Sequence, residues 1–170
     1  MTPIRVAVNG ASGRMGQEVV KAVCLDLDTQ IVGAIEAQVN NEFLTLPDGS
    51  GKVPFSSNLE QILKDCRPDV LVDFTIASVS FPTAMLSLKH KVNLVIGTTG
   101  LKQDEMNQID NLAKEQGAGV VLAPNFALGA VIMTYLSKIS SKYFDYAEII
   151  ELHHHLKADA PSGTSIKTAL

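Results

Sequence analysis

The densest chemical grouping in the chain is Glu151-Leu152-His153-His154-His155-Leu156-Lys157-Ala158-Asp159-Ala160-Pro161-Ser162-Gly163-Thr164. Imidazole titrates near neutral pH and an ammonium is a ready donor, so histidines beside a lysine suit proton transfer. Pro161 and Gly163 shape a loop. The N–H groups of Ser162, Gly163 and Thr164, with two hydroxyls, make an anion cradle at a helix start, and a small carboxylate fits it. The residues alone leave other readings open. A zinc site competes, although three adjacent histidines lack the usual ligand spacing and no cysteine is near. So does a solvated or core-satisfied set of histidines, and, for the turn, a helix capped by Ser162 or Thr164 with nothing bound. Strand alternation sends His153 and His155 one way and His154 the other.

A second grouping lies near the start. Gly10-Ala11-Ser12-Gly13-Arg14-Met15-Gly16 follows an apolar run and opens a helical pattern, where backbone N–H groups and the positive helix end hold a pyrophosphate. The spacing is G-x-x-G-x-x-G rather than G-x-G-x-x-G, so a plain tight turn is the alternative. Glu36 stands where an acidic residue accepts the adenosine ribose hydroxyls. Ala37, Gln38 and Val39 offer no cation for a 2′-phosphate, which favours NADH, with Arg14 and Lys52 as the cations able to offset this. Gly97-Thr98-Thr99-Gly100 and Ala123-Pro124-Asn125-Phe126 end two later apolar runs. Both are expected at the sheet edge where open α/β folds bind ligands.

These groups need a scaffold. Short apolar runs at Ile4–Val8, Ile31–Ile35, Val70–Phe74, Val92–Ile96 and Gly119–Leu122 read as buried strands. Helical periodicity separates them: Met15, Val19, Val20 and Val23; Leu59, Ile62 and Leu63; Ala84, Leu86 and Leu88; and Met106, Ile109, Leu112 and Ala113. Strands alternating with helices imply an α/β fold, a Rossmann-type doubly wound parallel sheet. Ala37–Phe55, with Pro47, Gly49, Gly51 and Pro54, reads as a long surface loop inserted after the second strand. After Asn125 the pattern changes to a helix over Phe126–Ile139, a strand over Tyr146–Leu152 and a helix beginning near Gly163. The boundary is therefore placed near Pro124, with residues 1–124 a dinucleotide-binding domain. Residues 125–170 are expected to begin an α+β substrate domain that is unfinished at Leu170.

Composition excludes several classes. The 170 residues are 46% hydrophobic and 19% charged with a net charge of −4, which suits a globular chain and opposes nucleic-acid binding. Cys24 and Cys66 have no paired spacing and read as free buried thiols. No apolar run reaches about 18 residues and no secretory leader opens the chain, so no membrane association and a cytoplasmic or plastid-stroma location are expected.

The run from Glu151 to Thr164, together with GASGRMG, Glu36, GTTG and APNF in the same order, resembles the dihydrodipicolinate reductase family over essentially the whole chain. The resemblance implies NAD(P)H-dependent reduction of hydroxy-tetrahydrodipicolinate or dihydrodipicolinate to tetrahydrodipicolinate, in lysine (diaminopimelate) biosynthesis. It implies that His153 is the general acid/base and that Lys157 is the proton donor and a carboxylate contact. His154, Ser162, Gly163 and Thr164 would bind substrate. Gly10, Ala11, Ser12, Gly13, Arg14, Met15, Glu36, Gly97, Thr98, Thr99, Ala123, Pro124, Asn125 and Phe126 would bind NADH or NADPH, and no metal is implied. Asp159 shapes the loop, since a second negative charge opposes a dianionic substrate. His155 and Leu156 depart from the family's basic residue and histidine and are given no catalytic role. The implied partners are a small dicarboxylate and, at full length, three further copies in a homotetramer. The alternatives are a fragment that binds dinucleotide without turnover and another nicotinamide dehydrogenase on the same fold.

Overall fold

The computed structural model describes residues 2–153 and 160–170. It divides into two compact units, Met1–Leu122 and Ala123–Leu170.

In the first unit the chain runs β1 (Ile4–Asn9), α1 (Arg14–Leu25), β2 (Thr29–Ile35), β3 (Phe43–Thr45), β4 (Lys52–Ser56), α2 (Leu59–Cys66), β5 (Val70–Asp73), α3 (Ala77–Lys89), β6 (Asn93–Ile96), α4 (Gln103–Gln116) and β7 (Val120–Leu122). The strands form one seven-stranded sheet in the order β3-β4-β2-β1-β5-β6-β7. Every neighbouring pair is parallel except β3 with β4. From β1 the chain winds outward through β2 to the hairpin, then returns to β5 on the other side. The strand order reverses there, which opens a crevice at the carboxyl ends of β1 and β5. This is the Rossmann-type α/β fold.

Pleating sorts the core between the two sheet faces. Val6 and Val8 pack with Val20, Ile31, Ala34 and Val53, whereas Ala7 between them packs with Ile62, Leu71, Leu88 and Leu94. Ile31 and Ala34 share a face only because the register slips: Val6 lies opposite Ile31 and Ala7 opposite Gly33, skipping Val32. Gly33 is itself required by packing, since a Cβ there would lie 2.8 Å from Ile62 Cγ2 on α2. Cys24 on α1 is half-buried and Cys66 on α2 is buried; both are free thiols, and burial pushes each pKa up.

The expected loop at Ala37–Phe55 is corrected. It contains β3 and β4, an antiparallel hairpin with Leu44 opposite Val53, which joins the parallel sheet where Phe55 and Ser56 meet Ala34 and Ile35. Val53 reaches the core and Leu44, Leu46 and Phe55 pack against it. The glycines that read as breakers turn the hairpin, with Gly49 at φ +77° and Gly51 at φ +140°.

The second unit holds α5 (Leu128–Ser140), a 3-10 turn (Ser141–Tyr143) and α6 (Gly163–Ala169). The strand expected over Tyr146–Leu152 is not formed. A strand exists only where a neighbour completes its ladder, and among the described residues of this unit no extended segment pairs with it. The two helices are tied by a hydrogen bond between the Thr134 and Thr168 hydroxyls, 3.0 Å apart.

Candidate functional site

The turn after β1 is built for close approach. Gly10 has φ +78°, and its N–H donates to Ile35 O at 2.9 Å, which fastens the turn to the end of β2. Gly16 lets α1 sit directly on that turn: a Cβ there would lie 2.0 Å from Gly10 O. Gly13, at the N-cap of α1, makes no side-chain cap, and the first helical turn contains no acidic residue. The first turn of α1 thus supplies no carboxylate to its own positive end, the kind of place where anions bind. Glu36 lies beside this turn, where its carboxylate accepts from Ser12 N–H and Ala37 N–H, both at 3.0 Å. A cleft of about 410 Å³ opens between these groups and the end of β5, lined among others by Gly10, Gly13, Glu36, Ala37, Phe74 and Thr75.

Beneath the same edge is a polar cluster that the sequence reading did not single out. Asp73, 1% exposed at the end of β5, accepts from Asn9 Nδ2 at 3.0 Å, Thr75 Oγ1 at 2.9 Å and Thr98 Oγ1 at 3.2 Å. Asn9 Nδ2 also donates to Thr83 Oγ1 at 3.2 Å, and Thr98 Oγ1 accepts Thr75 N–H at 3.0 Å. The available signal was a polar residue next to an apolar stretch in two neighbouring runs, Asn9 after Val8 and Asp73 after Val72. Thr98, expected to offer its hydroxyl to a ligand, is buried and spends it on Asp73. Thr99 beside it is exposed, and Gly97 is half-buried with its N–H donating to Asp73 O at 2.9 Å. Gly97 is needed because Phe74 packs on it, with a ring carbon 2.1 Å from where a Cβ would stand.

In the second unit, Asn125, Glu151, His153, Ser162, Thr164 and Ser165 help line a cleft of about 460 Å³. The expected anion cradle at the start of α6 is in contact with the chain's own carboxylate. Glu151 accepts from Ser162 N–H at 3.0 Å, Ser162 Oγ at 2.7 Å and the Ser165 hydroxyl. These donors, the Ser165 hydroxyl first, lower the Glu151 pKa to about 2. Ser162 also caps α6 by accepting Ser165 N–H at 3.1 Å. Ser162, expected at the substrate, has its N–H and hydroxyl on Glu151, and Gly163 and Thr164 follow it in the turn. Asn125, expected on a cofactor, uses its amide within the unit: Nδ2 donates to Thr164 Oγ1 at 3.1 Å and Oδ1 accepts Ala127 N–H at 2.7 Å. His153 Nδ1 lies 3.9 Å from Glu151 Oε1. His154 and Lys157, with His155, Leu156 and Asp159, lie outside the described residues. Among the described residues no group of three or more His, Cys, Asp or Glu side chains is placed to hold a metal.

Residues 4–126 match the family "Dihydrodipicolinate reductase, N-terminus" and residues 129–170 match "Dihydrodipicolinate reductase, C-terminus". The chain is 51% identical over 168 residues to 4-hydroxy-tetrahydrodipicolinate reductase of Dehalococcoides mccartyi, covering 99% of this chain and 64% of that protein. It is 40% identical over 168 residues to the enzyme of the same name from Listeria monocytogenes, covering 98% and 64%. Among solved structures it is similar to dipicolinate-bound dihydrodipicolinate reductase from Paenisporosarcina sp. TG-14. That match has 39% identity and a TM-score of 0.82, over 99% of this chain and 64% of that one. The chain thus spans 64% of the length of these relatives.

Proposed function

This chain belongs to the dihydrodipicolinate reductase family, and from that premise we propose that it carries the cofactor half and the proton-transfer run of a 4-hydroxy-tetrahydrodipicolinate reductase of lysine biosynthesis. The observation that supports this most is the joining of His153 and the Ser162–Thr164 turn in one cleft.

Residues 1–124 serve as the dinucleotide-binding domain and residues 125–170 begin the substrate-binding and oligomerisation domain. Gly10–Met15 hold the pyrophosphate on backbone N–H groups, and Glu36 takes the adenosine ribose. Gly97–Thr99 serve the nicotinamide half, and Ala123, Pro124, Asn125 and Phe126 are assigned as further cofactor-binding residues. The bound nicotinamide supplies a hydride. His153 and Lys157 hold and deliver the proton that balances it, at the other end of the substrate's conjugated system. Gly163 and Thr164 N–H groups, with His154 and Lys157, bind the substrate carboxylates, while Ser162 keeps that turn closed through Glu151. Ala37 gives a 2′-phosphate no cation and Glu36 repels it, so NADH is the preferred cofactor. The working location is cytoplasmic, and no described helix is long and apolar enough to cross a membrane. The proposed assembly is a homotetramer.

The test is substrate-dependent oxidation of NADH and NADPH by the wild-type protein, His153→Ala and Lys157→Ala, with dinucleotide affinity measured in parallel. Each variant should lose about 10²–10⁴-fold in turnover, the usual worth of a positioned acid or base, with affinity for dinucleotide unchanged. Near-normal turnover in both variants would remove His153 and Lys157 from these roles. Dinucleotide binding without turnover in the wild-type chain would favour a binding module.

A further inference from the structure

The Asp73 cluster has a feature that simple burial does not require: a carboxylate stands where an apolar or amide side chain would be cheaper to bury. Asp73 is 1% exposed, and among the described residues it forms no ion pair. A buried carboxylate is retained at least cost when both of its oxygens accept hydrogen bonds. Both do so here. Asn9 and Thr75 hydrogens converge on Oδ1 and the Thr98 hydroxyl on Oδ2. An amide in its place keeps one acceptor oxygen and turns its NH₂ towards the Thr98 hydroxyl, which must then accept instead of donate.

The donors come from three strand ends. Asn9 closes β1, Thr75 follows β5 and Thr98 follows β6. Thr98 is the pivot: its hydroxyl donates to Asp73 and accepts Thr75 N–H, so one oxygen sets the height of the β6 loop against the β5 loop. Gly97 N–H adds a bond to Asp73 O at 2.9 Å. We infer that Asp73 is a positioning residue for the nicotinamide half of the cofactor site, acting through Thr98 to hold the Gly97–Thr99 backbone in the pose that meets the ligand. The inference rests on the assignment of Gly97–Thr99 to the nicotinamide half given above. The adenosine half has ties of its own, Gly10 and Ala11 N–H on Ile35 O and Ser12 N–H on Glu36, in addition to the Asn9 bond to Asp73. Loss of Asp73 therefore weighs more on the nicotinamide half.

The test compares NADH with ADP-ribose, which keeps the adenosine half and pyrophosphate and lacks the nicotinamide, by calorimetric titration of the 170-residue chain. Wild type should bind NADH more tightly than ADP-ribose. Asp73→Asn and Thr98→Val should lose about tenfold in NADH affinity, the worth of one or two hydrogen bonds, and keep wild-type affinity for ADP-ribose. Thr98→Ser, which restores the hydroxyl, should return NADH affinity to wild type. A merely structural role does not separate the two ligands. If both variants lose NADH and ADP-ribose together, or keep the full preference for NADH, the positioning role is overturned while the cofactor assignment stands. If the wild-type chain binds NADH no better than ADP-ribose, the Gly97–Thr99 assignment fails and this inference fails with it.

Discussion

Gly16→Ala places the tightest contact in the cofactor cradle under test. The new Cβ would lie 2.0 Å from Gly10 O, 2.7 Å from Gly10 C and 2.8 Å from Ala11 Cα. All three atoms are backbone of the same turn, so no side chain can rotate to make room. Overpacking of a close-packed site costs about 1–3 kcal/mol, and a contact this short lies at the upper end. Alanine in place of glycine returns about 1 kcal/mol of helix propensity. The net loss is about 2 kcal/mol, which lowers Tm by roughly 4–8 °C in a chain of this size. Relief requires the Gly10–Gly13 turn to move outward by about 1 Å, enough to weaken charge-assisted bonds from its N–H groups to a pyrophosphate, so dinucleotide affinity falls by about tenfold or more. Gly129→Ala is the control, because nothing lies within 4 Å of a Cβ at Gly129 near the start of α5. There only the propensity remains, and the unit gains about 0.5–1 kcal/mol. Thermal unfolding by circular dichroism and NADH titration read both effects. A Gly16→Ala chain that melts at or above wild type and binds NADH normally would refute the packing argument.

Ser87 Oγ and Ser80 Oγ are buried in α3 with no hydrogen-bond partner among the described residues. Removing the Ser87 hydroxyl relieves an unpaired dipole and improves helix propensity, so Ser87→Ala should stabilise by about 1 kcal/mol; a lower denaturant midpoint would show that the hydroxyl contributes after all. Glu36→Ala leaves Ser12 and Ala37 N–H without their acceptor and removes the ribose partner, so NADH affinity should drop about tenfold and NADPH affinity less. Equal affinities before and after would take Glu36 out of the site. Glu151, held at about 2 against an ordinary 4.5, stabilises its turn fully above pH 4.5 and loses that contribution as pH falls towards 2. The Tm gap between wild type and Glu151→Gln should therefore be constant near neutrality and close as the medium is acidified; a gap that stays flat into acid would contradict the assignment.

The sequence reading reaches the fold where local pattern and tertiary role agree. Each of the five apolar runs read as strands overlaps an observed strand; for β1, β2, β5 and β6 this follows from burial within a parallel sheet, whereas the edge strand β7 is apolar but largely exposed. The hairpin of β3 and β4 was hidden by Pro47, Gly49, Gly51 and Pro54. Those residues mark turns and edges, yet Val53 between them is buried. For helix α3 the apolar positions Ala84, Leu86 and Leu88 only partly match the inward stripe, which is Ser80, Thr83, Ala84, Ser87 and Leu88, correctly spaced but mostly polar. Tyr146–Leu152 has strand composition and no strand, since pairing is a property of two segments and only one is visible in the residues themselves. The Asp73 cluster was illegible for a related reason: its bonds join residues 64, 25 and 2 positions apart, and only the shortest of these lies within a local window.

At the candidate site, the same comparison separates two meanings of a motif residue. Thr98 and Asn125, expected at the cofactor, and Ser162, expected at the substrate, each bond their own chain, to Asp73, Thr164 and Glu151. A hydroxyl or amide fixed in this way loses freedom to meet a ligand but fixes the backbone beside it, and a fixed backbone N–H meets an anion without the entropy cost of ordering a side chain. The polar residues in these motifs are then explained by what they hold, the glycines by what they let approach. On that account a substitution that keeps the internal bond should be tolerated. One that keeps shape but breaks the bond should not, which is why Thr98→Ser and Thr98→Val are expected to part company.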